Sequence, residues 1–173
     1  DPKRKIPSEK NIFLSPADGK VILIKEIKEK AFLDSPTQQI SIFMSPLNVH
    51  INRCPCDGIV KLIKYTPGNF KAAYTDKAAI SNENVIMVLN TSYGIVIVKQ
   101  IAGILARRVV CHAKVGEKLR MGQRYGIIKF GSRVDLFLPK TVKIVVKEGD
   151  KVKAGETIVA KWREDEKGCL STT

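Results

Sequence analysis

Short runs of apolar, mostly β-branched residues, several of them alternating with polar residues, make up most of the chain. Val and Ile pack well on a pleated sheet and lose side-chain freedom in a helix, so such runs favour strands. No segment keeps apolar residues at the i, i+3, i+4, i+7 spacing of an amphipathic helix for three turns. We therefore predict nine strands, at residues 21–27, 39–44, 59–65, 85–89, 95–101, 108–113, 133–138, 142–146 and 157–161.

Turn-forming sequences separate these predicted strands. Asp-Gly occurs at 18–19 and 57–58, Pro-Gly at 67–68 and Glu-Gly-Asp at 148–150, and such sequences are typical of tight turns. Strands joined in this way predict a mostly β fold, a barrel or sandwich of interlocking hairpins with few short helices. The length of 173 residues suits one domain, residues 1–173, with a substantial core.

Two internal repeats sharpen this prediction. The segment PADGKVILIK at 16–25 recurs as PCDGIVKLIK at 55–64, 39 residues later. The segment GEKLRMG at 116–122 recurs as GDKVKAG at 149–155, 33 residues later. Two copies of such short segments indicate quasi-symmetric hairpin layers, because a solenoid needs more copies to bury its core.

The segment EGDKVKAGET at 148–157 resembles the hairpin turn of lipoyl- and biotinyl-carrier domains, which are flattened barrels of interlocking hairpins. Carriers present a modified Lys beside Met, and this sequence contains no Met-Lys dipeptide. The resemblance therefore implies carrier-like elements in the fold. A carrier-like β domain without catalysis stays an alternative function.

The formal net charge of +13 predicts attraction to polyanions, either nucleic acid or an anionic membrane surface. Lys-rich strand edges that keep a sheet soluble would give the same charge. Aromatic residues are 6% of the chain and are not interleaved with Lys or Arg, which disfavours the alternative of a basic nucleic-acid-binding barrel.

No apolar run approaches the roughly 20 residues that span a bilayer. The chain begins at Asp1 rather than Met, which is compatible with removal of an upstream segment.

The four cysteines show no metal-site or disulfide pattern. Cys54, Cys56, Cys111 and Cys169 form no CxxC pair and have no spaced His partners. We therefore expect no structural metal and no disulfide scaffold, in a reduced, intracellular setting.

The Gly131-Ser132 pair, between two apolar runs, places an uncrowded carbonyl beside a hydroxyl. Most such pairs are turns, and this one lacks the Gly-x-Ser-x-Gly pattern of an esterase nucleophile. In a strained turn, Ser132 Oγ can attack the Gly131 carbonyl and convert the peptide bond into an ester. Elimination from that ester would cut the chain and leave a new N-terminal carbonyl group.

Three further residues are candidates for chemistry. His50 and Arg53 lie in a segment bracketed by prolines, where a functional role is about as plausible as an ordinary one. Asp18 precedes Gly19 and, taken alone, suits a turn. We interpret His112 as structural. We expect three basic residues to lie on a solvated basic face: Lys114, Lys129 and Arg133.

Four motifs, in order along the chain, resemble the phosphatidylserine decarboxylase family, specifically its short branch, which includes archaetidylserine decarboxylase-like members. They are SPADGKV at 15–21, FMSP at 43–46 with VHINRCP at 49–55, ARRVVC at 106–111 and FGSRVD at 130–135. The segment CLST at 169–172 is superficially similar to the Leu-Gly-Ser-Thr of longer members. It lacks the Gly and has no strand after it, so we expect no cleavage there.

The family makes a pyruvoyl cofactor from the Ser of its Gly-Ser pair. The resemblance implies cleavage between Gly131 and Ser132, giving a β chain of residues 1–131 and an α chain of residues 132–173 that begins with the pyruvoyl group derived from Ser132. The implied enzyme converts phosphatidylserine, or an ether-lipid analogue, to the ethanolamine phospholipid and CO2. The substrate amine would form a Schiff base with the pyruvoyl group, and His50 is the candidate acid that protonates the α-carbon.

The resemblance also implies the partners. They are a serine phospholipid, an anionic membrane surface and the two chains of one precursor, without nucleic acid, and a homo-oligomer is left open. The protein is expected to associate with the cytoplasmic face of a membrane.

One departure concerns the base for self-cleavage. Longer members carry His at the position of Arg53, where it works with the Asp matching Asp18 to activate the cleaved Ser. Arg, with a pKa above about 12, cannot act as a base at neutral pH. Asp18 and His50 remain the candidate bases, and we expect Arg53 to bind a substrate carboxylate or phosphate.

Overall fold

The computed structural model describes residues 1–27, 36–68, 81–103 and 108–163. Among these residues no helix is long and apolar enough to cross a membrane. The described residues form fourteen strands: β1 (Ile12–Leu14), β2 (Gly19–Ile27), β3 (Thr37–Met44), β4 (Ile51–Arg53), β5 (Gly58–Thr66), β6 (Asn84–Thr91), β7 (Gly94–Ile101), β8 (Val109–Cys111), β9 (Lys118–Leu119), β10 (Arg124–Ile128), β11 (Ser132–Pro139), β12 (Val142–Ile144), β13 (Lys151–Val152) and β14 (Ile158–Trp162).

Eight of these strands form one antiparallel sheet in the order β13-β2-β3-β11-β7-β6-β5-β9, which curls into a half-barrel. Two three-stranded sheets, β1-β14-β12 and β4-β10-β8, complete the described fold. The prediction of a mostly β fold is confirmed, and a strand is present at each of the nine predicted positions. The five strands that the apolar pattern did not predict are short: β1, β4, β9, β10 and β13.

Strand β11 lies inside the eight-stranded sheet, paired with β3 on one side and β7 on the other. Its residues are buried from Ser132 to Leu138. Val134 and Leu136 contribute to the main hydrophobic core, while Phe137 belongs to a second, smaller cluster. Because both faces of β11 are covered, the Gly131-Ser132 pair that precedes and opens it is anchored by a well-packed strand.

We call the segments 16–25 and 55–64 the strand repeat, and the segments 116–122 and 149–155 the turn repeat. Each copy of the strand repeat pairs with one copy of the turn repeat. Gly19 in β2 lies opposite Val152 in β13, and Gly58 in β5 lies opposite Leu119 in β9. The prediction of quasi-symmetric hairpin layers therefore describes two half-molecules, each built from one strand repeat and one turn repeat.

The backbone hydrogen bonds of the two halves match. Gly149 N donates to Val21 O at 2.8 Å, and Gly116 N donates to Val60 O, also at 2.8 Å. The 39-residue offset of the strand repeat and the 33-residue offset of the turn repeat relate these two bonds. The same residue types thus build the same turn twice.

Reciprocal bonds join the two halves. Leu14 N donates to Pro55 O at 2.8 Å, and the equivalent Arg53 N donates to Pro16 O at 3.0 Å. This crossing places the turn that contains Asp18 against β4, which follows the segment that contains His50.

Candidate functional site

The Gly131-Ser132 bond lies at the start of β11, whose first residue is Ser132. Ser132 lies opposite Met44 of β3, is fully buried, and its Oγ donates to Met44 Sδ at 3.5 Å. A thioether is a weak acceptor, so the hydroxyl is held only loosely. Phe130, just before the bond, has a φ of 61°, in the left-handed region that non-glycine residues rarely adopt. The bond therefore follows a strained residue, and a buried hydroxyl lies directly after it.

The segment after β3 places one residue, Pro46, beside both Gly131 and His50. A methyl group placed on Gly131 would lie 3.7 Å from Pro46 Cγ, and His50 Nε2 lies 3.3 Å from Pro46 O. Because a carbonyl oxygen only accepts hydrogen bonds, Nε2 carries the proton in a neutral His50, which leaves Nδ1 with a lone pair. His50 Nδ1 is buried and has no hydrogen-bond partner among the described residues. The imidazole therefore keeps one nitrogen free for a proton transfer.

Asp18 has both carboxylate oxygens engaged. Ala154 N donates to Oδ1 at 2.7 Å, and Arg4 NH2 donates to Oδ2 at 2.8 Å in an ion pair that is largely buried. The equivalent Asp57 accepts the same kind of bond from Met121 N at 2.6 Å. The backbone bond is thus a shared structural feature of both turns, and the pairing with Arg4 distinguishes Asp18.

A cavity of about 620 Å³ connects Asp18 with the His50 segment. Asp18 and Gly19 line one side of it, and Phe43, Ser45 and Asn48 line another. We call this space the Asp18 cavity. Ser45 directly follows Met44, the strand partner of Ser132, so the cavity is lined by a residue next to the partner of the candidate cleavage site.

Arg53 is buried near the Asp18–Arg4 pair, but does not line the Asp18 cavity. Its NH1 donates to Gly122 O at 2.9 Å and its NH2 to Asp1 Oδ1 at 3.2 Å, and Arg124 also pairs with Asp1. Burial, and then the neighbouring Arg124 and Arg4, lower the pKa of Arg53. The guanidinium therefore holds a carboxylate, as the sequence predicts for this side chain, but the carboxylate belongs to the chain itself.

A chain of polar side chains behind Ser132 was not anticipated. Gln100 Nε2 donates to Asn52 Oδ1 at 2.9 Å, and Asn52 Nδ2 lies 3.4 Å from Pro16 O and 3.7 Å from Met44 Sδ. All of these groups are buried. The signal in the sequence is a single amide inside each of two apolar strands.

The expectation that Arg133 lies on a solvated basic face is wrong. Arg133 is 2% exposed, and its Nε donates to Asp135 Oδ1 at 2.6 Å while its NH2 donates to Ser41 Oγ at 2.9 Å. Lys114 and Lys129 are exposed, as expected. An Arg two residues before an Asp on a strand places both side chains on one face, where they pair, and the burial of that face is not visible in the sequence.

Among the described residues, Cys54, Cys56 and Cys111 are free thiols, and no three His, Cys, Asp or Glu side chains are grouped as metal ligands. Burial raises the pKa of Cys54 to about 12. Cys169, the CLST segment and residues 106–107 of the ARRVVC motif lie outside the described residues.

In the structure, Pro46 lies beside both Gly131 and His50, and Ser132 packs on Met44. Asp18 lines a cavity that Gly131, Ser132 and His50 do not line. Neither Asp18 nor His50 hydrogen-bonds to Ser132 Oγ in the described part of the chain. Arg53 is hydrogen-bonded to Gly122 O and is close enough to Asp18 and Arg4 to interact with their charges.

Comparison with known proteins gives a consistent result. The sequence model of the family described as "Phosphatidylserine decarboxylase" matches residues 1–160. A phosphatidylserine decarboxylase proenzyme from Ralstonia nicotianae is 45% identical over 161 residues, covering 92% of this chain and 74% of the relative. Relatives with the same name from Geotalea uraniireducens and Chlorobium phaeobacteroides are 48% and 44% identical, over 92% and 94% of this chain and 75% and 76% of their own length.

Proposed function

Because the chain belongs to the phosphatidylserine decarboxylase family, we propose that it decarboxylates the serine headgroup of a phospholipid to the ethanolamine headgroup. Relatives named as proenzymes at about 45% identity support an enzyme that matures from a precursor. This membership sets aside the alternatives of a non-catalytic carrier-like domain and a basic nucleic-acid-binding barrel. The observation that supports the proposal is a buried Ser132 hydroxyl that follows the strained Phe130, with Pro46 beside both Gly131 and His50.

Maturation in this proposal is a self-cleavage. Ser132 Oγ attacks the Gly131 carbonyl carbon, the Gly131–Ser132 C–N bond breaks, and the liberated amine takes up a proton. A base then removes the proton from Ser132 Cα, and the electron pair forms a Cα=Cβ double bond as the bond between Ser132 Cβ and the ester oxygen breaks. This elimination leaves Gly131 as a carboxylate and residue 132 as an enamine. Water replaces the nitrogen, which leaves as ammonia, and residue 132 becomes a pyruvoyl group. The products are a β chain of residues 1–131 and an α chain of residues 132–173.

The residues present fit a pyruvoyl group at position 132. Ser132 belongs to the only Gly-Ser dipeptide of the sequence, its hydroxyl has a weakly bound thioether as acceptor, and the preceding residue is strained. A pyruvoyl group supplies a ketone that condenses with an amine and accepts the electrons released when CO2 leaves. Its burial in β11 excludes water, which favours loss of a carboxylate's localised charge.

His50 and Asp18 divide the proton transfers in this proposal. The unpartnered Nδ1 of His50 suits a base that takes the Ser132 proton and an acid that later returns a proton to the substrate α-carbon. Asp18, held as a carboxylate acceptor by Arg4 and Ala154 N, is the alternative base. A base there requires Arg4 to move away from Oδ2.

Arg53 is proposed to bind an anionic group of the substrate, a carboxylate or a phosphate. Support comes from its present contact with the Asp1 carboxylate, which shows the kind of group that the guanidinium accepts. A substrate anion would take the place of Asp1.

We further propose that the protein works on the cytoplasmic face of an anionic membrane. The net charge of +13 supports this, since each Lys or Arg near such a surface contributes about 1 kcal/mol. Leu47, 97% exposed, follows Pro46, and Phe130, 50% exposed, precedes Gly131; both are proposed to enter the lipid interface. Diacyl and ether lipids share the reacting headgroup, so both fit the proposal.

The proposal is tested by assaying CO2 release from phosphatidylserine vesicles, and trapping with borohydride, for wild type and three variants. Ser132→Ala should stay uncut and inactive, while the control Ser171→Ala should be cut and active. His50→Ala should lose turnover at least a hundredfold, because general acid–base catalysis contributes about 10²–10⁴. Wild-type protein that releases no CO2, or that releases it without a trappable small chain, would refute the proposal.

Asp18→Ala and Asp57→Ala form a matched pair. Both lose the equivalent backbone hydrogen bond, so a loss of cleavage confined to Asp18→Ala assigns Asp18 to maturation. Equal cleavage in both variants would leave His50 as the base.

A further inference from the structure

The walls of the Asp18 cavity carry hydrogen-bond donors. Lys20, Lys151 and Lys153 line it together with Ser45 and Asn48. None of the three lysines forms an ion pair within the described residues. Asn48 Oδ1 already accepts from Ser45 N at 2.8 Å, which leaves its NH2 group free to donate.

The carboxylate in the cavity wall does not neutralise these lysines. Asp18 has one oxygen on Ala154 N and the other on Arg4. The cavity therefore presents an excess of positive charge and of donors, which suits a ligand that only accepts hydrogen bonds.

Two of the lysines lie directly opposite each other. Lys20 in β2 is the strand partner of Lys151 in β13, and like charges in this arrangement destabilise a sheet. The other half of the molecule avoids this arrangement, because Ile59 is the partner of Lys118 at the equivalent position. The half that contains Lys20 and Lys151 therefore has an electrostatic repulsion between two strands that the other half lacks. A bound anion would reduce this repulsion.

The cavity lies at the end of β3 that pairs with Ser132, although neither Gly131 nor Ser132 lines it. Phe43 is the strand partner of both Lys20 and Arg133, and the next residue of β3, Met44, is the partner of Ser132. Lys20, Phe43 and Arg133 lie opposite one another on three adjacent strands. Adjacent strands are about 4.8 Å apart, so the Cα atoms of Lys20 and Arg133 are separated by two strand spacings, about 10 Å. Side chains alternate along a strand, so Lys20 lies on the opposite face of the sheet from Ser132 and Met44. Ser132 and Met44 are the terminal residues of their strands, so a headgroup that contacts both Lys20 and residue 132 passes around this end of the sheet.

We propose that the Lys20–Lys151 pair binds the phosphodiester of the substrate headgroup in the Asp18 cavity. The inference rests on the proposed function and adds the position of the phosphate. In a serine phospholipid the amine and the phosphate are separated by only a few bonds, so an amine at residue 132 places the phosphate within reach of the cavity. Arg53 does not line this cavity, so the two anion sites can be tested separately.

The test uses a short-chain, monomeric phosphatidylserine, which removes general attraction to a charged membrane. The double variant Lys20→Gln with Lys151→Gln should raise KM at least tenfold with little change in kcat, because it removes binding common to ground state and transition state. The control is Lys61→Gln with Lys118→Gln, which removes the same charge from the other half, and its KM should stay within twofold of wild type. Intact mass should show complete cleavage in both.

Inhibition separates the sources of phosphate. Glycerophosphoethanolamine should inhibit wild type competitively at a lower concentration than inorganic phosphate, and should lose at least tenfold in potency against the Lys20/Lys151 variant. An equal rise of KM in both double variants, an unchanged KM in the Lys20/Lys151 variant, or preferential inhibition by inorganic phosphate would overturn the proposal. These results would leave the proposed function intact if both variants are cut and active, whereas uncut wild type would refute that function itself.

Discussion

Phe130 holds its backbone in the left-handed region immediately before the candidate bond. A side chain with a Cβ costs about 1 kcal/mol or more in that conformation, and Gly avoids the cost. Strain next to a bond can be released when that bond breaks, which lowers the barrier to cleavage.

We predict that Phe130→Gly slows self-cleavage about fivefold, since about 1 kcal/mol of released strain corresponds to that factor in rate. Phe130→Ala is the matched control, because it removes the exposed ring but keeps the Cβ. The rate of precursor loss, followed by electrophoresis after synthesis, measures the effect. Similar rates for the Gly and Ala variants would show that the strain plays no part.

Buried thiols should make stability depend on pH above neutrality. Burial raises the pKa of Cys54 from an ordinary 9.0 to about 12, and raises that of Cys56 as well. Between about pH 9 and 12 the folded chain keeps the Cys54 proton that the unfolded chain loses, so stability falls as pH rises in that range. Each such thiol contributes a slope of up to about 1.4 kcal/mol per pH unit.

This prediction can be measured in the uncut Ser132→Ala chain with a reducing agent present. The free energy of unfolding in urea should fall from pH 8.5 to 10.5, and adding Cys54→Ala should make the decline shallower. Parallel curves with and without Cys54 would contradict the assignment of a raised pKa.

At the scale of residues, the sequence names candidate side chains but does not show where they lie. Pro46 lies beside both Gly131 and His50, and the roles of Ser132 and His50 stay predictions. Arg133 is buried rather than solvated. Asp135 on the same strand neutralises its charge, and Ser41 on the neighbouring strand accepts a hydrogen bond from it. Arg53 is engaged by Gly122 O and Asp1, long-range contacts that no local pattern contains.

The turn repeat gives a test at the scale of elements. Gly149 has a φ of 96° with open space around its Cα, while Gly155 has a φ of 73° and a Cβ added there would lie 2.8 Å from Arg53 Cδ. Both glycines have the left-handed backbone conformation, but only Gly155 packs so closely against Arg53 that a side chain would collide with it.

We predict that Gly149→Ala destabilises the uncut chain by about 1 kcal/mol. Gly155→Ala should cost roughly 1–3 kcal/mol more, since an added methyl overpacks against Arg53. Urea unfolding of the two variants in the Ser132→Ala background gives the comparison. Equal losses would indicate that Arg53 moves aside freely at no cost.

Long strands were predictable and short ones were not. Runs such as Ile59–Tyr65 contain enough Val, Ile and Leu to indicate a strand without their partners. Strand β4, of three residues, and β10, which contains Gly126, are held in place by partners distant in sequence. Their pairing places the His50 segment, so that part of the site could not be derived from local pattern.

At the scale of the whole molecule, the two halves keep one scaffold and differ at the site. Asp18 and Asp57 make the same backbone bond, whereas Lys20 stands where the other half has Ile59. The sequence repeats predicted the two layers, but not that the strand repeat of each half pairs with a turn repeat distant in the chain.

Membrane contact belongs to this scale because it depends on net charge and on the position of exposed apolar residues. Leu47→Asp should weaken binding to anionic vesicles at least tenfold, since burying a Leu side chain contributes about 1.5–3 kcal/mol. Val115→Asp is the control, with the same charge change at a residue that is 64% exposed in the turn before β9. Cosedimentation at two salt concentrations measures both variants, and equal weakening would remove Leu47 from the proposed contact.

The intact mass of purified wild-type protein, compared with Ser132→Ala, tests the central claim most directly. We predict two chains for wild type, one ending at Gly131 and a smaller one lighter by one ammonia than a chain starting with Ser132, and a single chain for the variant. An active wild-type protein that is one continuous chain with an unmodified Ser132 would contradict the account.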